Sequence, residues 1–253
     1  MFNLNDGLLA YMFIGQPENS LKFTLFTLLF VVITIVSAYL FGSINSAIII
    51  SKVLYRDDIR KHGSGNPGLT NMLRTYGKGG AGLTLLGDLS KTALAVLIGA
   101  IFFGFNYIKG ISNHDGYCYM AGLFAVLGHV FPIYHKFKGG KGVLSTAVMA
   151  LILAPIPALI LIAVFAIIVA TSKYVSLGSV TAAILFPVVV NGYFNIALGG
   201  KTPGIISLVT IVIAILIVWC HRGNLQRISD RTERKISFSK KDGGSKKDDG
   251  SNE

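Results

Sequence analysis

Long apolar runs alternate along this chain with short stretches of glycine, proline and charge. Four runs, 21–54, 80–105, 176–194 and 203–220, reach the roughly 20 predominantly apolar residues that span a bilayer as a helix. A fifth, 116–133, is shorter but similarly bounded. The stretch 142–171 is interrupted by Ala154-Pro155-Ile156-Pro157. Proline removes a backbone donor and clashes with the preceding turn, so this stretch reads either as one kinked span or as two short ones.

The placement of charge chooses between them. If the chain turns at the prolines it crosses seven times, and 51–78, 134–141, 171–176 and the tail from Arg222 share one side. Those segments carry 19 of the 23 Lys and Arg residues, while the other side keeps Lys22, Lys109 and Lys201, with Lys91 inside a span. Basic residues concentrate on the cytoplasmic side of membrane proteins. A single kinked span would instead export the tail and Lys173. The expectation is therefore an all-α polytopic integral membrane protein with seven transmembrane helices, its N-terminus outside and its C-terminus cytoplasmic. It divides into an extracytoplasmic segment 1–20, a membrane domain 21–235 and a charged tail 236–253, whose mixed Lys, Asp, Gly and Ser composition predicts disorder. The two half-segments around the prolines are each only about 20 Å of helix, so neighbours or a thinned bilayer must shield them.

Composition agrees. Charged residues make up 14% and hydrophobic ones 52%, against roughly 25% charged in soluble domains. The net charge of +11 is accounted for by membrane orientation, so no nucleic-acid partner is invoked. Cys118 and Cys220 lie in separate apolar runs, which supports neither a disulfide framework nor a paired-cysteine metal site. Residues 1–20 contain no Lys or Arg; lacking a basic leader region, the first apolar run is expected to remain in the protein.

Three segments on the basic side differ from ordinary connections. The first is His62-Gly63-Ser64-Gly65-Asn66-Pro67-Gly68-Leu69-Thr70-Asn71-Met72-Leu73-Arg74. Its glycines let backbone N–H groups converge on an anion, and Ser64, Asn66, Thr70 and Asn71 add uncharged donors. Thr70 and Arg74, four apart on a short helix after Pro67, share a face. Taken alone the segment reads equally as a glycine-rich turn. It formally matches GxGxxG, as does 77–82, but neither follows a strand, so no dinucleotide site is drawn.

The second segment joins Gly128-His129-Val130-Phe131-Pro132 to Lys136-Phe137-Lys138-Gly139-Gly140-Lys141-Gly142. Lys141 between glycines suits a phosphate as a point charge, although the spacing is not that of an ATP-binding loop. The third is Trp219-Cys220-His221-Arg222-Gly223-Asn224 at the end of the last span. Trp219 and Arg222 read as interface anchors, while His221 and Asn224 at i,i+3 project together if the helix continues. Asp88 and Lys91, at the same spacing inside the second span, predict a structural ion pair.

In order, Gly63 to Arg74, Gly128 to Pro132, Gly139-Gly140-Lys141-Gly142-Val143, Tyr174-Val175-Ser176-Leu177-Gly178-Ser179 and His221-Arg222-Gly223-Asn224 resemble the PlsY family, over about residues 30–235. These are bacterial integral-membrane acyltransferases that use acyl phosphate and sn-glycerol 3-phosphate. The resemblance implies an enzyme at the cytoplasmic face of the cell membrane, in contact with membrane lipids, needing no cofactor or metal. It implies that Ser64, Arg74, Lys141, His221 and Asn224 hold glycerol 3-phosphate and form the catalytic set. Thr70, Gly139, Gly140 and Ser179 would line the acyl-phosphate site, with Gly65, Asn66, Asn71, His129 and Ser176 completing the substrate-binding surface. Arg231 stands where the family pattern has Gly before Thr232-Glu233, and Tyr134-His135 is also a departure.

Two other readings compete. A transporter of phosphorylated metabolites also wants a basic, glycine-lined cavity, and broken helices around Pro155 and Pro157 would suit it; against it, the chemistry-bearing residues gather at one face. A purely structural membrane protein leaves the Gly-Gly-Lys and Ser-Gly-Asn-Pro segments without a reason. No histidine has Asp five positions on, and no Gly-x-Ser-x-Gly elbow occurs, so neither a His-Asp acyltransferase nor a serine hydrolase is written here.

Overall fold

The computed structural model describes residues 6–14, 20–104, 115–197 and 199–236. Residues 237–253 of the expected disordered tail, and Lys109, lie outside the described residues. Within them the regular structure is entirely helical. In chain order the helices are α1 (Gly7–Met12), α2 (Leu21–Ser43), α3 (Ser46–Leu54), α4 (Leu69–Phe103), α5 (Asp115–Val130), α6 (Val143–Leu153), α7 (Pro155–Ser172), α8 (Val175–Gly192), α9 (Gly204–Cys220) and α10 (Arg222–Ser229).

By length and composition, five helices suffice to cross a membrane: Leu21–Leu54, Leu69–Phe103, Asp115–His135, Pro155–Ser172 and Val175–Ile196. A sixth forms if α9 and α10, bent by 51° at His221, count together. α6 is apolar but has 11 residues, about 16 Å of helix. The ambiguous stretch 142–171 thus breaks at Ala154, whose φ of −151° and ψ of 69° leave the helical region. Pro155 then opens α7, where its missing N–H costs nothing and its fixed φ suits the first turn.

Small residues let the helices meet closely. A Cβ added at Gly42 on α2 would strike the backbone of Ala125, and one at Gly128 on α5 would strike that of Tyr39. Buried Ala38, Ala95, Ala121 and Ala125 continue this contact. Lipid solvates apolar side chains as well as a helix neighbour does, so dense backbone packing supplies the association. Larger side chains, among them Tyr119, Met149, Phe186 and Ile213, fill the core further along. Leu28, Val32, Ile167, Val188 and Ile215 point outward and exposed, as a lipid-facing belt requires.

Asp88 and Lys91 form the expected pair, with Nζ 2.9 Å from Oδ1 and both residues buried. The sequence did not reveal what else they hold. The chain leaves helical geometry between α2 and α3, freeing the Ile44 carbonyl, and the Lys91 ammonium donates to it at 2.7 Å. Lys91 also reaches His129 Nδ1 at 2.9 Å, and Ser46 Oγ donates to Asp88 at 3.0 Å. A buried charge is tolerable only when paired and fully hydrogen-bonded, and this cluster uses that requirement to tie α3, α4 and α5 together beneath the site.

Candidate active site

Asn71 organises the loop before α4. Its Oδ1 accepts from the Ser64 backbone N–H at 3.1 Å, and its Nδ2 donates to the carbonyls of His62 (3.0 Å) and Ile59 (3.3 Å). Gly63 lies at φ +58° against the Asn71 amide, a combination that excludes any Cβ. The result leaves Ser64 exposed, its hydroxyl accepting from the Asn66 backbone N–H at 3.4 Å. Thr70 and Arg74 follow on the first turns of α4, which Gly77 (φ 74°, ψ −163°) separates from the apolar remainder. The short helix expected after Pro67 is therefore present.

The segment 131–142 folds back over the end of α5. Lys136 and Phe137 adopt left-handed backbone, and the N–H groups of Gly139 and Gly140 donate to the carbonyls of Val130 (3.1 Å) and His129 (3.0 Å). The N–H groups of this glycine pair, which the family resemblance places at the acyl-phosphate site, are thus taken up in shaping the loop. A Cβ on Gly140 would collide with the His129 ring, which Lys91 holds from its other side. Gly140→Ala should therefore shift Lys141 and lower turnover at least about tenfold, a penalty typical of a small misplacement of catalytic groups. Steady-state kinetics check this; unchanged kinetics would show that the loop tolerates the displacement.

Past α9 the chain bends at His221, so His221 and Asn224 meet through the bend rather than along a continuous helix. His221 Nδ1 donates to the Ile217 carbonyl at 2.8 Å, leaving Nε2 as acceptor. Burial and the nearby Lys141 charge push its pKa down to about 4. Lys141 donates to Asn224 Oδ1, and Asn224 Nδ2 donates to Glu233 Oε1 at 2.6 Å. Ser176 Oγ (2.8 Å) and Arg227 Nε (2.8 Å) also serve Glu233. Burial works against the Glu233 carboxylate, but these donors bring its pKa below the ordinary value.

Sequence reasoning did not single out Glu233 or Arg227. The available signal was the displaced family glycine: Arg231 sits at φ 57°, in the left-handed region that favours glycine. That conformation lets the N–H groups of Thr232 and Glu233 return to the Arg227 carbonyl at 2.8 and 3.0 Å, turning Glu233 inward.

All these elements surround one cavity of about 710 Å³. Of the sequence-predicted residues, Ser64, Asn66, Thr70, Asn71, Arg74, His129, Lys141, Ser176, Ser179, His221 and Asn224 line it; Gly65, Gly139 and Gly140 do not. The polar lining continues into an apolar trench between α6, α7 and α8, formed by residues such as Leu151, Leu161, Phe165 and Phe186. The site therefore joins cationic and hydrogen-bonding groups to an apolar trench.

Burial lowers the Lys141 pKa to about 8, partly opposed by Glu233. The ammonium form prevails below that value and is lost as pH rises through it. Turnover at low substrate should accordingly fall above about pH 8, as measured by kcat/KM against pH; a level profile to pH 10 would remove Lys141 charge from the rate.

A family model described as glycerol-3-phosphate acyltransferase matches residues 32–231. The chain is 40% identical over 207 residues to a glycerol-3-phosphate acyltransferase of Coxiella burnetii (strain CbuG_Q212), covering 82% of this chain and 98% of that one. A Syntrophomonas wolfei relative of the same description is 39% identical over 203 residues, 80% of this chain and 95% of that one. The fold is similar to the crystal structure of PlsY, an integral membrane glycerol 3-phosphate acyltransferase, in its glycerol 3-phosphate form: TM-score 0.69, 32% identity, 82% of this chain and 96% of that one. Its lysophosphatidic acid form gives a TM-score of 0.68 at 31% identity, over 82% and 95% of the two chains. With the pattern matched across most of its length and its motifs gathered around one cavity, this chain belongs to the glycerol-3-phosphate acyltransferase family, that of PlsY.

Proposed function

We propose that the protein transfers a fatty acyl group from acyl phosphate to the 1-hydroxyl of sn-glycerol 3-phosphate. The products are 1-acylglycerol 3-phosphate (lysophosphatidic acid) and phosphate, as in the first step of phospholipid synthesis. The observation that carries this reading is the continuity of the cavity: Arg74, Lys141 and Asn224 at one end, an apolar trench at the other. Both substrates carry phosphate and one carries a hydrocarbon chain, and this is the lining they jointly demand. The glycerol 3-phosphate and lysophosphatidic acid forms of the similar PlsY structures support the acceptor and the product.

Ser64, Arg74, Lys141, His221 and Asn224 hold glycerol 3-phosphate in this proposal, with His221 Nε2 available to orient its hydroxyl. Thr70 and Ser179 face the donor, whose chain runs between α6, α7 and α8. Acyl phosphate is a mixed anhydride with a good leaving group, so no covalent acyl-enzyme and no cofactor is needed. The bound hydroxyl attacks the acyl carbon, the bond to the phosphate oxygen breaks, and the departing phosphate takes the hydroxyl proton. The enzyme supplies positioning and charge stabilisation.

In the membrane, the reading is seven crossings with the N-terminus outside and the site at the cytoplasmic face of the bacterial cell membrane. The break at Ala154, with α7 by itself long enough to span and α6 only 11 residues, favours two crossings, one of them short, over one kinked span. The deciding experiment gives purified protein acyl phosphate and glycerol 3-phosphate in detergent or lipid. Phosphate release and lysophosphatidate formation that require both substrates are expected. Absence of both, with glycerol 3-phosphate uptake into proteoliposomes, would instead mark a transporter.

A further inference from the structure

In apolar surroundings a helical Ser or Thr hydroxyl ordinarily donates to the carbonyl four residues back. Thr27, Thr84, Thr92, Ser179 and Thr181 do so here, at 2.8 to 3.1 Å. Thr146 does not. Its backbone N–H bonds the Gly142 carbonyl at 2.9 Å, so α6 is regular at this turn. Yet its hydroxyl has no hydrogen-bond partner among the described residues, although Thr146 is only 8% exposed. Thr34 and Ser145 share that condition, but of these three only Thr146 lines the cavity.

Its place along the cavity gives the missing partner a chemical identity. One turn before it, Lys141 and Gly142 belong to the polar end; one turn after it, Ala150 and Leu151 belong to the trench, which Phe165 and Ala183 continue. A donor with its phosphate at the polar end, against Thr70 and Ser179, and its chain in the trench places its acyl carbonyl oxygen between the two. We infer that the Thr146 hydroxyl donates a hydrogen bond to this oxygen, orienting the acyl carbon and stabilising the negative charge the oxygen gains on attack. The inference rests on the acyl-phosphate reading above. In the step served, the glycerol 1-oxygen bonds to the acyl carbon. The bond from acyl carbon to phosphate oxygen breaks, its electron pair leaves with phosphate, and the hydroxyl proton of glycerol passes to that phosphate. Thr146 keeps its own proton throughout.

Thr146→Val preserves the side-chain shape and removes the donor. With acyl phosphate as substrate, kcat should fall about 10- to 100-fold, with the KM for glycerol 3-phosphate within about twofold and Thr146→Ser restoring most of the turnover. The thermal unfolding midpoint of the valine variant in detergent should hold or rise, because a methyl group replaces an unpartnered buried hydroxyl. Full turnover in Thr146→Val overturns the inference, as does a serine variant no more active than the valine one. A midpoint that drops alongside activity also overturns it, since the hydroxyl would then be serving the fold. Wild-type protein that releases no phosphate from acyl phosphate and glycerol 3-phosphate together overturns the acyl-phosphate reading and this inference with it. An active wild type with an equally active valine variant overturns this inference alone.

Discussion

Lys141→Ala should lower kcat/KM for glycerol 3-phosphate by on the order of a hundred- to a thousandfold, the loss expected when a preorganised charge leaves a sheltered site, with thermal stability nearly unchanged. Lys141 is half-buried and in no salt bridge among the described residues, so its charge is available to a phosphate. Asn224 fixes where the ammonium points, because its amide is itself anchored on Glu233. Arg74→Ala is expected to act in the same direction, since Arg74 is exposed at the cavity mouth and contributes little to the core. Kinetics and unfolding in detergent, measured on the same preparations, separate chemistry from folding. Near-normal kinetics in either variant would take that cation out of the substrate site.

The largest effect on stability is expected from Lys91→Met. Removing one partner of a buried ion pair typically costs about 3–5 kcal/mol, because the remaining charge is left without compensation. Here Asp88 would stay buried at 2% exposure, and the Ile44 carbonyl and His129 ring would each lose a donor. Thermal unfolding or recovery of folded protein from the membrane should show a steep decline. The paired change Lys91→Met with Asp88→Asn should do less damage than Lys91→Met alone, as no net charge then remains inside. A single variant as stable as the wild type would mean that the ammonium is not what holds this junction.

Much of the architecture was legible in the order of residues. Apolar runs of spanning length announce membrane helices whatever they pack against, and Pro155 stops a helix through its own ring, so the break at Ala154 follows from local chemistry. The Asp88 and Lys91 spacing likewise permitted only a short list of partners. Motif chemistry identified most of the polar part of the cavity lining, because donors suited to an anion are recognisable by residue type regardless of the fold that carries them.

Other assignments depended on what lies across the helix boundaries. Gly139 and Gly140 have free N–H groups on paper, yet those donors satisfy carbonyls left over at the end of α5. Asn71, expected on the substrate-binding surface, lines the cavity and also holds the Ser64 loop, a role only the fold reveals. Glu233 is distant in sequence from Ser176, and only the left-handed turn at Arg231 brings the two within 2.8 Å.

The linear chain alone determined a helical membrane protein that carries cationic and hydrogen-bonding motifs of the kind that suit phosphate, since hydropathy and side-chain chemistry are local properties. Which donors remain open to a substrate, and that a polar basin continues into an apolar trench, was settled only by packing. Most buried polar groups find a partner within the protein, and which one they find depends on helices that meet only in the folded molecule.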